Sequence, residues 1–79
     1  MILAAHKIAF FDRYVGGLIA EKYGISDREA VRMFIGSETY KMLIDAETEL
    51  YKASPHIIFD MWEVEKITGE PRNSQYIRE

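Results

Sequence analysis

The first 23 residues carry an apolar repeat that strongly favours one kind of secondary structure. Between residues 2 and 23, apolar side chains recur at steps of three and four, the spacing of one face of an α-helix. They are Ala4, Ile8, Phe11, Val15, Leu18, Ile19 and Tyr23. The repeat predicts a long first helix over residues 2–23, and Gly24 provides a residue that can end it.

Two adjacent glycines, Gly16 and Gly17, interrupt the middle of this helix. Each should cost about 1 kcal/mol relative to alanine in a helix interior. We expect a close crossing with another helix to offset that cost, and a kink is the alternative.

Cap signals divide the middle of the chain into two shorter helices. Ser26 and Glu29 form a capping-box pattern, so a second helix begins there and ends at Gly36. Ser37 is a suitable cap for a third helix over residues 38–44. The expected inward residues of the two helices are Ala30, Val31, Phe34 and Ile35, and then Tyr40, Leu43 and Ile44.

A fourth helix is predicted after a loose acidic turn over residues 45–49. Ser54 and Pro55 are a strong start signal, because serine caps and proline suits the first helical position. Gly69 ends the helix. Its predicted apolar side consists of Ile57, Ile58, Met61, Val64 and Ile67. Residues 70–79 lack a helical period and are predicted to be a C-terminal tail, mobile or docked.

The predicted fold is therefore all-α: a small bundle of about four helices in a single domain over residues 1–69, followed by the tail. A chain of 79 residues has room for one domain. Its apolar runs are too short to span a membrane, no secretory signal is recognisable, and cysteine is absent. These features favour a cytoplasmic protein without disulfides or cysteine-based metal sites.

The pattern of Tyr23-Gly24-Ile25-Ser26, Glu29-Ala30-Val31, Phe34, Ser37, Tyr40, Leu43 and Leu50-Tyr51 resembles that of short, uncharacterised bacterial helical proteins. Some of these are encoded near suspected toxin genes. The resemblance covers roughly residues 8–67. It implies a bacterial helical module that acts through a protein partner, in a pair of the toxin–antitoxin type, and it implies no catalytic residue.

Two further groups of residues resemble functional sites but have simpler explanations. His56, Asp60 and Glu63 share one side of the fourth helix, but His6 stands apart, so we predict a solvated acidic face and no metal or cofactor. Residues 26–44 have the outline of a helix-turn-helix DNA reader. The candidate recognition helix offers one lysine against two carboxylates, and the net charge is −3, so nucleic-acid binding is disfavoured.

We therefore expect a non-enzymatic protein–protein interaction module, with no catalytic residue and no small-molecule substrate. Its partner is another protein chain or a second copy in a homodimer. The predicted interface combines apolar surface left over from helix packing with an adjacent acidic face. Its residues are Phe10, Tyr14, Trp62, Asp60 and Glu63. The alternative is a transcriptional or nucleic-acid-associated regulator with a degenerate helix-turn-helix.

Overall fold

A computed structural model of the chain describes residues 1–74, and these form a small all-α bundle. Its α-helices are α1 (Ala5–Tyr23), α2 (Asp27–Ile35), α3 (Glu38–Ile44) and α4 (Pro55–Thr68). Three short 3-10 helices lie at Ala46–Thr48, Leu50–Lys52 and Pro71–Asn73. The predicted fold class is confirmed.

The first helix begins three residues later than predicted. Residues 1–3 instead run beside the end of α3, where Ile2 and Asp45 form an isolated antiparallel bridge. The Leu3 amide donates to the Ile44 carbonyl at 2.7 Å, and the Leu3 side chain is buried. The backbone hydrogen bond of Leu3 and the burial of its side chain together stabilise this arrangement more than one further turn of helix would.

The remaining helix ends follow the predicted signals. Gly24 and Gly69 adopt left-handed conformations at φ 66° and 83°, where a residue without a Cβ is favoured. The Ser26 and Ser37 hydroxyls accept from the amides three residues on, each at 3.1 Å. Ser54 precedes α4 as predicted but makes no side-chain cap bond, so Pro55 alone carries that start signal.

The core lies where α1, α2 and α4 meet, with α3 covering one end. It consists of Phe11, Val15, Ile19, Ala20, Ala30, Phe34, Leu43, Ile58, Met61 and Trp62. The two helices α1 and α2 cross at Gly16, where a Cβ would lie only 2.7 Å from Cγ2 of Val31. The prediction of a close crossing is therefore confirmed for Gly16.

The inward side of α4 differs from the prediction. Ile58, Met61 and Trp62 are buried, whereas Ile67 is 84% exposed. The predicted apolar stripe is therefore wrong at its C-terminal end, because Trp62 and Glu65 occupy the inward positions there.

The chain continues to pack beyond residue 69. Pro71 is buried, and the Ser74 hydroxyl donates to the Asp60 carboxylate at 2.5 Å. Residues 70–74 thus pack on α4, and the rest of the predicted tail lies outside the described residues. No helix within residues 1–74 is long and apolar enough to cross a membrane.

Candidate protein-docking groove

A shallow groove runs along the outer side of α1. Its volume is about 870 Å³, and it is bounded on the other side by the first residues of α4. The lining residues are Phe10, Arg13, Tyr14, Gly17, Leu18, Glu21, Pro55 and His56. We call this surface the α1 groove.

The groove exists because α1 carries two neighbouring apolar rows. Phe11, Val15 and Ile19 are spaced four residues apart and point into the core. The residues immediately before them, Phe10, Tyr14 and Leu18, form a second row with the same spacing, rotated by about 100° around the helix. One helix face cannot bury both rows in so small a bundle, so the second row borders the groove.

Phe10 and Tyr14 form an exposed aromatic pair in this groove. The two residues are 45% and 53% exposed, and their ring centroids lie 4.7 Å apart. Phe10 also makes an edge contact with the buried ring of Phe11, at 5.2 Å between centroids. The Phe10 ring therefore packs on the buried ring of Phe11 and against Tyr14, while the outer surface of the pair faces solvent.

A second depression, of about 540 Å³, adjoins the α1 groove and shares Phe10 and Pro55 with it. Tyr51 forms part of its wall, and the Lys7 ammonium lies 4.6 Å from the centre of that ring. The apolar surface therefore extends from the middle of α1 toward its N-terminus, with a lysine at the edge.

The structure places the predicted interface residues at several different sites. Phe10 and Tyr14 come together in the groove. Trp62 is only 2% exposed, so its predicted place on an exposed surface is wrong. Its ring packs against Phe59 and Tyr23, and the Lys66 ammonium lies 5.0 Å from the ring centre.

Asp60 and Glu63 are half-buried and do not line the groove. Asp60 accepts the Ser74 hydroxyl. The Glu63 carboxylate lies 2.6 Å from the Lys22 ammonium and accepts the Tyr23 hydroxyl at 2.6 Å. Burial raises the pKa of Glu63, but the hydrogen bonds from Lys22 and Tyr23 outweigh it, so the net shift is downward. Both carboxylates thus serve contacts within the fold.

Glu65 has a structural role that the sequence analysis missed. One of its carboxylate oxygens accepts the Thr39 amide and hydroxyl, each at 2.8 Å, and the other accepts the Glu38 amide at 2.9 Å. It therefore caps α3 from another helix. No local pattern reveals this pairing, because 26 residues separate Glu65 from Thr39.

This cap bears on the helix-turn-helix outline. In such readers, the N-terminal residues of the second helix contact the DNA bases. In this chain those positions, Glu38 and Thr39, are bound to the carboxylate of Glu65, and Thr39 is fully buried. The first turn of α3 is thus covered by a negative charge of the protein itself.

Asp12 is a half-buried titratable group on α1. Its Oδ1 is buried without a hydrogen-bond partner, and burial raises the pKa of the carboxyl. The pKa of nearby Tyr40 is also raised, first by burial and then by the negative charge of Asp12. His56, Asp60 and Glu63 do not form a metal-binding group, and no cluster of three or more such ligands exists within residues 1–74.

Comparison of the chain with protein-family models, curated proteins and solved structures finds no match in any of the three. The resemblance to bacterial helical proteins accordingly stays a prediction.

Proposed function

We propose that this chain is a non-enzymatic protein–protein interaction module and that the α1 groove is its docking surface. The observation that carries the proposal is the exposed pair of Phe10 and Tyr14 in an open groove, where the Phe10 ring contacts both Tyr14 and the buried ring of Phe11. Aromatic residues are enriched at protein interfaces, because they bury a large area while losing little conformational freedom.

The other groups of the site support a protein ligand. Arg13 and Glu21 also line the groove, and both residues are exposed, so charges of both signs accompany its apolar side chains, as is usual at protein interfaces. The hydroxyls of Ser26 and Ser37 could in principle serve as catalytic nucleophiles, but each accepts a backbone amide as a helix cap. Their presence is therefore explained by the fold. A cytoplasmic location and a role in a toxin–antitoxin pair belong to the same proposal, supported by the cysteine-free sequence and by the resemblance respectively.

The proposal is tested by capture with matched variants. The immobilised chain is incubated with an extract of its host supplemented with untagged chain, and bound polypeptides are identified by mass. We expect the double variant Phe10→Ala/Tyr14→Ala to capture about tenfold less polypeptide than the wild type. Removal of a central aromatic side chain typically costs more than about 1 kcal/mol of binding free energy. Ile67→Ala is the control, because Ile67 is highly exposed but lies outside the groove.

Equal capture by the double variant and the control would contradict the proposal, provided that circular dichroism shows both to be folded. So would a wild-type chain that binds no polypeptide and sediments as a monomer at the highest concentrations. Tight binding to nonspecific DNA duplex that weakens steeply with salt would favour the nucleic-acid alternative instead.

A further inference from the structure

We propose that the occupant of the α1 groove is α1 of a second copy of this chain, lying antiparallel across a two-fold axis that passes beside Gly17. This inference rests on the proposed function of the groove and names its partner. It is carried by the distribution of charge and free space along the groove.

The two glycines of α1 have different surroundings. The space that a Cβ at Gly16 would occupy is taken by the side chain of Val31 of α2, whereas a Cβ at Gly17 would meet nothing within 4 Å. Gly17 lines the groove together with Tyr14 and Leu18. A second helix can therefore approach the backbone of α1 closely at this point, with no side chain to displace.

The charges of the groove are placed symmetrically about this gap. Arg13 lies four residues before Gly17 and Glu21 four residues after it. With a rise of about 1.5 Å per residue, each is about 6 Å from Gly17 along the helix axis. Within residues 1–74, the ion pairs of the chain involve neither of the two.

A two-fold axis at Gly17 places Arg13 of each copy opposite Glu21 of the other, which gives two ion pairs. A parallel pair of helices in the same register would instead place like charges opposite each other, at a cost. The charge pattern therefore complements itself in the antiparallel arrangement. The apolar row of Phe10, Tyr14 and Leu18 flanks both ion pairs and supplies the area that is removed from water.

A single helix pair buries less area than a standard protein interface, so the dimer should dissociate on dilution and weaken with salt. The test is a charge exchange followed by sedimentation over a range of concentrations. We expect Arg13→Glu and Glu21→Arg each to weaken dimerisation at least about tenfold, because each substitution creates two like-charge contacts. The double variant R13E/E21R should recover to within about threefold of wild type. Arg28→Glu, at an exposed arginine outside the groove, is the control for the change in net charge.

A cysteine crosslink tests the register. The chain has no cysteine, so an introduced one can bridge only to its own copy. We expect Gly17→Cys to form a disulfide dimer under mild oxidation, since the two positions adjoin the axis. Ala9→Cys, at an exposed position of α1, should not form this crosslink. Position 9 lies eight residues from the axis, so its two copies are about 24 Å apart.

A wild-type chain that stays monomeric and a Gly17→Cys variant that fails to crosslink would overturn the second copy as occupant. If the groove variants then still lose capture of a different polypeptide, the docking function stands and this inference alone fails. A double charge exchange that does not restore dimerisation would also overturn the proposed antiparallel arrangement.

Discussion

At the scale of single residues, two neighbouring glycines differ in what surrounds them. Gly16 is required by the contact with Val31, and Gly17 leaves space on the groove side. Both suffer the same helix-propensity penalty, so they are indistinguishable in the sequence. Their surroundings differ only because successive residues of a helix point in directions about 100° apart.

Gly16→Ala and Gly17→Ala should therefore change stability in opposite directions. The added methyl at Gly16 overlaps a methyl of Val31, whose β-branched side chain is stiff in a helix, and we expect a loss of about 1–3 kcal/mol. At Gly17 the methyl enters open space, and we expect a gain of up to about 1 kcal/mol. Urea denaturation at low protein concentration measures both. Equal effects of the two substitutions would show that α1 and α2 do not cross closely.

The second residue-scale prediction concerns Asp12, whose carboxyl has a raised pKa because of burial. The folded state then binds the proton more tightly than the unfolded state, where the pKa is near 3.8. Stability is therefore lost as pH rises through the interval between 3.8 and the raised value, and the loss is complete above it. Asp12→Asn removes this charge.

We expect Asp12→Asn to be more stable than wild type at pH 7, and the difference to disappear below pH 3.8. Comparing the two proteins at each pH cancels the opposite contribution of Glu63, whose lowered pKa favours the folded state at neutral pH. A variant less stable than wild type at pH 7 would mean that the Asp12 charge has a stabilising partner.

At the scale of elements, α3 depends on another helix for its existence. It has only seven residues, which is too short for a helix to be stable in isolation. Ser37 caps it locally, and Glu65 of α4 binds the next two amides. The hydrogen bonds of Glu65 therefore fix the N-terminus of α3 to the C-terminal part of α4.

Glu65→Ala should lower stability by roughly 1–3 kcal/mol, because the Thr39 amide and hydroxyl are left in a buried position without their acceptor. Amide exchange of α3 should accelerate more than that of α1, since α3 loses its tether. Glu47→Ala, at an exposed glutamate, is the control and should have little effect. Unchanged exchange in α3 would show that Ser37 suffices as a cap.

The elements also show how far the sequence is informative. The number and order of the four α-helices and most of their ends could be predicted, because local chemistry at Gly24, Ser26, Ser37 and Gly69 determines where a helix stops or starts. Long-range contacts could not be predicted in this way. The start of α1 depends on strand-like pairing of residues 1–3 with the end of α3.

The same limit applies to the candidate site. The exposed ring pair of Phe10 and Tyr14 was recognisable as apolar surface in excess of one helix face. Trp62 was predicted at the surface but is buried, because contacts with other elements determine which face of α4 points inward. Tyr23 and Phe59 pack against the indole, and α3 binds Glu65. Periodicity within α4 is compatible with either face.

At the scale of the whole molecule, some aromatic residues within residues 1–74 are buried in the core and others are exposed at the surface. Phe11, Phe34 and Trp62 are at most 3% exposed, whereas Phe10 and Tyr14 are about half exposed. A domain of this size has little stability to spare, so rings left in water are more readily explained by binding than by folding. This division predicts which substitutions unfold the chain and which alter only its associations.

Trp62→Ala and Tyr14→Ala test the division directly. We expect Trp62→Ala to lose about 3–5 kcal/mol, as is usual for truncation of a buried tryptophan, and Tyr14→Ala to stay within about 0.5 kcal/mol of wild type. Far-ultraviolet circular dichroism during urea denaturation measures both without relying on tryptophan emission. If Tyr14→Ala proved as damaging as Trp62→Ala in a chain that sediments as a monomer, the groove would be part of the folding core. With Tyr14→Ala harmless to folding yet impaired in association, the exposed pair would be a surface maintained for contact with another polypeptide.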